Sequence, residues 1–328
     1  MSKKLPHILV LATGGTIAGR GDSPLQTMGY RAGQFTVEEM LEELPDITAS
    51  VRVSGEQFVN LPSSALTPMD WLGLAQRISV RLNDRSIDGL VITHGTDTLE
   101  ETAFFLHLVI KSKKPVVLVG AMRPATALSP DGPMNLINAI RVAAAPAAHG
   151  LGSLVVMNDE IFSARDVTKT SANRLDAFRS PDFGALGSVD NGQVGIYRRL
   201  LRKHTVDTVF DVNELAKLPR VDIVVGYVGA DDVLVKAVLA AGAQGIVLAG
   251  TGAGHISPSA DETLHDALEQ GTIVVRASRT GGGRILPTSP EDFIACDNLS
   301  PQKARILLML ALTVTRDPEK IQRMFGEY

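Results

Sequence analysis

The chain has 328 residues, 45% hydrophobic and 21% charged, with a formal net charge of -4. That is enough apolar material for two cores, and it lacks the basic stripe that nucleic acid or an anionic membrane surface attracts. Cys296 is the only cysteine, which excludes an internal disulfide and any CxxC metal or redox motif, and makes a reducing compartment the default. No apolar run reaches the length that spans a bilayer, so the partner this balance predicts is a small neutral or zwitterionic molecule.

The first element is HILVLAT, residues 7–13, entered directly from Pro6. It is too short for a signal h-region and runs into Thr13-Gly14-Gly15 in place of a cleavage site, so the sequence reads as cytoplasmic, with a periplasmic setting reserved for a trimmed chain. Runs of the same kind recur as GLVITH (89–94), PVVLVGA (115–121), SLVVMND (153–159), DIVVGYV (222–228), GIVLAG (245–250) and TIVVRAS (272–278). Unbroken apolar β-branched runs suit strands buried on both faces, as in parallel sheets.

Amphipathic stretches with their own start signals lie between these runs. Thr36 with Glu39 predicts a capping box ahead of Val37, Met40, Leu41 and Leu44. Thr67-Pro68-Met69-Asp70 places a cap, an N1 proline and an N-terminal carboxylate before Trp71, Leu74, Ala75, Ile78 and Leu82. Thr98 with Glu101 predicts a third box, Ser259 with Glu262, Ser300-Pro301 and Asp317-Pro318 further starts, and Gly242 and Gly271 helix ends. The alternation predicts an α/β fold of two doubly wound domains with mainly parallel sheets. The larger domain spans 1–198. At 199–219 the stretch LLRKHTVDTVFDVNELAKLPR interrupts the alternation as a linker, and the smaller domain follows over 220–328.

Ligands of open α/β sheets sit outside the carboxyl ends of the strands, where this chain carries three loaded turns: Thr13-Gly14-Gly15-Thr16, His94-Gly95-Thr96-Asp97-Thr98 and Ala121-Met122-Arg123-Pro124. A nucleotide is not indicated, because the first turn has neither GxGxxG spacing nor a Lys-Ser or Lys-Thr. Taken locally, Thr16 is most simply a turn or cap hydroxyl. Thr96 and Asp97 have no such local explanation: a carboxylate beside a hydroxyl can hold a substrate ammonium while the hydroxyl relays protons. A threonine nucleophile needs a base, and Lys169 serves if burial strips its ammonium of water. Tyr30 is the other relay candidate, beyond the lid-like stretch GRGDSPLQTMG. His94 is equally well a structural hydrogen-bonder at a tight turn.

Together the turns ATGGTIAG and ITHGTDTLEETA resemble the two signature segments of the bacterial-type L-asparaginase family, type II branch. SGEQFVN, KPVVLVGAMRP, DGPMNL, VVMND, ARDVTKT and SPQKARILL follow in the same order along nearly the whole chain. The resemblance implies hydrolysis of the side-chain amide of asparagine, or of glutamine, through a covalent acyl-enzyme. It implies neither metal nor organic cofactor. Thr16 then falls on the nucleophile, with Thr96 as the alternative. Tyr30 falls on the tyrosine that relays its proton, and Thr96, Asp97 and Lys169 fall on the second hydroxyl, the carboxylate that also grips the substrate ammonium, and the lysine. Ser63 falls on the group holding the α-carboxylate, while Gly15 and Ala121 contribute to the substrate-binding turns. The family also implies a homotetramer built as a dimer of dimers.

Three positions depart from the family pattern. Ser64 stands where Gln or Glu is common, GYVGADD offers only glycine and alanine around Gly229, and Glu291 is the only glutamate near the position from which the family supplies one across a subunit interface. A shortened amine-side set leaves Asp97 carrying most of the ammonium recognition. Competing readings are a glutaminase-asparaginase, the amidohydrolase subunit of a tRNA-dependent amidotransferase, which expects an additional N-terminal domain, and a non-catalytic amino-acid-binding protein, which has no use for two hydroxyls and a lysine.

Overall fold

All seven apolar runs form strands, and their carboxyl ends carry the three loaded turns. The computed structural model describes residues 4–45, 50–289 and 292–328, in two units that divide between Asp207 and Thr208.

In the first unit the strands are β1 (His7–Ala12), β2 (Arg52–Gln57), β3 (Gly89–Thr93), β4 (Val116–Val119), β5 (Ser153–Met157), β6 (Glu160–Ser163), the short pair β7 (Thr168–Lys169) and β8 (Phe178–Arg179), β9 (Gly187–Asp190) and β10 (Gln193–Ile196). Eight of them form one sheet in the order β10-β9-β6-β5-β4-β3-β1-β2. Strands β1 to β5 are mutually parallel, as the unbroken apolar runs require. Their order reverses between β1 and β3, and that switch point is where a doubly wound sheet opens a crevice for a ligand. Ala12 pairs with Thr93 across it, so the Thr16 and Thr96 turns leave the sheet side by side.

Helices α1 (Val37–Glu42) and α4 (Gly132–Ala144) cover one face, packing Val37, Met40, Leu136 and Ile140 against Ile8, Val10, Val91 and Leu154. Helices α2 (Pro68–Asn83) and α3 (Leu99–Val109) form the other layer, joined by Trp71 stacked on Phe105 at 5.3 Å and by Trp71 Nε1 donating to Thr102 Oγ1 at 2.9 Å. The capping boxes of Thr36 with Glu39 and Thr67 with Asp70 are both formed.

The second unit holds β11 (Val221–Val225), β12 (Gly245–Gly250), β13 (Ile273–Ser278) and β14 (Ile294–Ala295) as a parallel sheet in chain order. Helices α5 (Val233–Ala240) and α6 (Pro258–Glu269) supply Val235, Ala260 and Leu264 to its core. Helices α7 (Pro301–Ala311) and α8 (Pro318–Glu327) start at the predicted Ser300 and Asp317 caps. Gly242 and Gly271 close α5 and α6 in left-handed backbone, at φ 83° and 91°.

Two local expectations are corrected, and one feature is added. Thr98 precedes α3 but caps nothing, because its hydroxyl donates to the Ser63 carbonyl at 3.0 Å. Helix α6 starts at Pro258 behind Ser257, earlier than Ser259, since proline fits the first helical position. The large sheet also continues past β5 through antiparallel β6, β9 and β10. The turn Asn158-Asp159, both residues at positive φ, reverses the chain into β6, and Asn191-Gly192 does the same between β9 and β10.

Candidate active site

The two glycine turns touch. Gly14 and Gly15 sit at φ 99° and 90°, and a Cβ on Gly15 would lie 2.4 Å from both the Cα and the N of Gly95. A Cβ on Gly95 would in turn meet Ser63 Oγ at 2.8 Å. Glycine is required at both points, and the three segments close on one another over the switch point. Backbone bonds fix the arrangement: Thr13 N and Thr13 Oγ1 both donate to the Thr93 carbonyl, at 3.1 and 2.8 Å.

Thr16 opens a 3-10 turn, Thr16–Ala18, directly behind Gly15 and is buried. Its Oγ1 lies 2.6 Å from the Tyr30 hydroxyl. Tyr30 sits on a loop closed at its base by paired backbone bonds between Arg20 and Arg31, at 2.8 and 3.0 Å, a compact Ω-type excursion over the turn. The loop is tied down where Gly21 N donates to Thr126 Oγ1 at 2.8 Å and Leu128 N to the Pro24 carbonyl at 2.6 Å.

A second hydroxyl is held differently. Lys169 Nζ donates to Thr96 Oγ1 at 2.9 Å and to Asp97 Oδ1 at 2.8 Å. The lysine side chain is 16% exposed and that of Asp97 70%, so the ion pair is partly screened and serves geometry more than stability. Thr96 and Asp97 stand just before α3, whose N-terminal peptide dipoles favour a carboxylate there. Ser63, also buried, accepts the Thr98 N–H on its Oγ at 3.3 Å.

Gly15, Thr16, Tyr30, Ser63, Gly95, Thr96, Asp97 and Lys169 all line one cavity of about 340 Å³, a size suited to a small ligand. Thr27, Met28, Ala32, Met122, Ala172 and Asn173 also line it, with Gly29 and Pro62. Of these Met122 lies in one of the loaded turns and Thr27 and Met28 in the lid-like stretch GRGDSPLQTMG; Ala32, Ala172 and Asn173 carry no local signal, since loop position alone brings them to the rim. Met122 is held by Asp131, whose Oδ2 accepts the Met122 N–H and whose Oδ1 accepts the Arg123 N–H, both at 2.9 Å. Ser64 is exposed and Ala121 fully buried, and neither lines the cavity. Glu291 lies outside the described residues.

His94 is fully buried, with Nδ1 donating to the Gly95 carbonyl at 2.7 Å. Burial pushes its imidazole down to about 4, against a weaker upward pull from that hydrogen bond. It does not line the cavity, so it acts as a neutral turn-holder. Among the described residues no group of three or more His, Cys, Asp or Glu is arranged to hold a metal ion, and no helix is long and apolar enough to cross a membrane.

Two family models match the chain: asparaginase, N-terminal, over residues 7–202, and glutaminase/asparaginase C-terminal domain over 220–325. L-asparaginase 2 of Bacillus subtilis (strain 168) is 50% identical over 99% of this chain and 88% of its own length. A glutaminase-asparaginase of Pseudomonas fluorescens biotype A is 43% identical over 99% of this chain and 91% of its own. Among solved structures, a probable cytoplasmic L-asparaginase from Campylobacter jejuni superposes with a TM-score of 0.96 at 47% identity, covering 98% of this chain and all of the other.

Proposed function

The chain belongs to the asparaginase family, and from that premise we propose that it is an L-asparaginase, hydrolysing the side-chain amide of L-asparagine to L-aspartate and ammonia through a threonine ester. The observation that carries the reading is the pairing of two differently activated hydroxyls, Thr16 with Tyr30 and Thr96 with Lys169, on one cavity.

In this reading Thr16 Oγ attacks the amide carbon as its proton passes to the Tyr30 oxygen, and the Tyr30 hydroxyl hands its own hydrogen on to the departing nitrogen. The carbon–nitrogen bond breaks, the nitrogen takes up a proton and leaves as ammonia, and the acyl group stays on Thr16 as an ester. Water then attacks the ester carbon and returns the proton to Thr16. Thr96, oriented by Lys169, manages protons on the opposite side. Asp97 receives the substrate ammonium and Ser63 its carboxylate. Backbone N–H groups of the two glycine turns face the carbonyl oxygen and stabilise its developing charge.

Comparable turnover of L-glutamine is a second reading, favoured by the similarity to a glutaminase-asparaginase; a filter for one methylene is worth only about 1–3 kcal/mol. A homotetramer built as a dimer of dimers belongs to the same reading, and light scattering on the eluting protein checks it. The activity test is ammonia release from L-asparagine and from L-glutamine by the purified protein beside a Thr16→Ala control. Release from asparagine that disappears in the control supports the reading, and the ratio of the two substrates selects between its forms. Release from neither amide above the control overturns it.

A further inference from the structure

Unlike Thr16, Thr96 and Asp97, Lys169 is not carried by a turn at a strand end of the large sheet. It lies on β7, which pairs only with β8 in a separate two-stranded ladder. Within that ladder the bonds run to the hairpin itself, as where Thr170 N donates to the Ala177 carbonyl at 2.7 Å. The position of the ammonium relative to Thr96 therefore needs a link from the hairpin to the body of the unit.

That link is visible. Glu100, in the first turn of α3, is buried at 8% exposure, and its Oε2 accepts the backbone N–H of Lys169 at 2.6 Å. A carboxylate withdrawn from water needs such partners, and a charge-assisted bond to a backbone N–H is among the stronger ones. Four and three residues earlier in the same segment stand Thr96 and Asp97, which receive the Lys169 ammonium at 2.9 and 2.8 Å. One short stretch at the start of α3 thus grips Lys169 at both ends, backbone and side chain.

We propose that Glu100 is a positioning residue for catalysis: it anchors the β7–β8 hairpin on α3 and so sets the distance from the Lys169 ammonium to Thr96. The proposal rests on the amidase reading for its catalytic consequence, while the anchor itself can be examined without turnover. What matters is an acceptor oxygen at the right reach. Glutamine offers one at the same length without the charge. Aspartate keeps the charge but withdraws the oxygen by about 1.5 Å, one carbon–carbon bond.

The test compares Glu100→Gln, Glu100→Asp and Glu100→Ala with the wild type in the full chain, each also in a Lys169→Ala background. A misplacement of about 1 Å at a reacting group can cost about 100-fold. Glu100→Gln is expected to keep kcat within about 3-fold of wild type, and Glu100→Asp and Glu100→Ala to lose about 100-fold, with KM moving less than about 3-fold in each. In the Lys169→Ala background Glu100→Asp should add less than about 2-fold, because the group it positions is gone.

Amide hydrogen exchange over residues 163–180 reads the anchor directly: protection persists in Glu100→Gln and falls in Glu100→Asp. An aspartate variant more active than the glutamine variant overturns the proposal in favour of a role for charge. Full repetition of the aspartate loss without Lys169 overturns it in favour of a general structural role. Unchanged exchange in Glu100→Asp overturns the anchor even if wild type hydrolyses neither amide, whereas that lack of turnover, with exchange behaving as expected, counts against the amidase reading alone. Should Glu100→Ala fail to fold, the Gln and Asp pair decides.

Discussion

Two threonines face the same cavity, and their surroundings differ in kind. Thr16 Oγ1 lies 2.6 Å from the hydroxyl of Tyr30, on a loop that covers the site. Thr96 accepts from an ammonium at 2.9 Å, and that ammonium is also ion-paired to Asp97. A hydroxyl whose lone pair already receives an N–H from a cation is a poor attacker, whereas one bonded to a phenol can pass its proton along as it attacks. The contrast favours the proposed division, attack by Thr16 and proton management by Thr96, which the two motifs read as text leave open.

The comparison breaks most readily at the nucleophile. Thr16→Ala is expected to lower kcat for asparagine by at least about 10⁴-fold. Thr96→Val, which spares the attacking group, should lose about 10²–10⁴-fold, in the range of a general acid–base contribution. Lys169→Ala combined with Thr96→Val should be scarcely worse than either alone, as befits one hydrogen-bonded unit. A Thr96 variant that outdoes the Thr16 variant in steady-state assays would reverse the assignment.

A smaller loss is expected from Tyr30→Phe, about 10²-fold in kcat with KM little changed, since the ring still covers the cavity and only the phenolic relay is removed. Replacing asparagine by its α-hydroxy analogue sharpens the other pair. With Ser64 exposed and away from the cavity wall, loss of the ammonium should cost one charge-assisted contact, about 1.5–3 kcal/mol. That corresponds to a drop in kcat/KM of about 10- to 160-fold. A total loss of turnover would mean that other groups grip the ammonium beside Asp97.

The least effect on activity belongs to His94. Its imidazole stays neutral in the folded protein down to about 4, while in the unfolded chain it takes up a proton below about 6.5. Between these values the unfolded state binds more protons, so stability rises with pH across the window and declines as pH falls from 6.5 toward 4, by on the order of 3 kcal/mol. Urea unfolding at stepped pH measures it. His94→Asn should flatten that part of the curve.

Much of this could be read from the text of the chain, for a physical reason. Strands buried on both faces must be unbroken apolar runs, so β1, β3, β4, β5 and the second unit's β11, β12 and β13 stood out, and with them the turns at their carboxyl ends. Strand β2 did not: it is the edge of its sheet, RVSGEQ, with five of its six residues polar or glycine and none buried, and Glu56 spent on Arg77 and Arg81. The β9–β10 hairpin was signalled by Asn191-Gly192 but lies in short strands of weak apolar character.

Thr98 and Glu101 matched a capping box by spacing, yet the hydroxyl turns away from the helix to donate to the Ser63 carbonyl, 35 residues away in sequence. Glu100 was hidden for the same cause. Its local setting is an ordinary acidic first turn, and only the folded chain brings the Lys169 N–H to it, across 69 residues.

The central claim is that Thr16 carries the acyl group. Rapid acid quench of the protein mixed with L-asparagine, with Lys169→Ala used to slow the hydrolytic step, followed by peptide mass spectrometry, tests it most directly. An aspartyl ester on the peptide containing Thr16, absent from Thr16→Ala, is the predicted result. An ester on the peptide containing Thr96 would contradict the account.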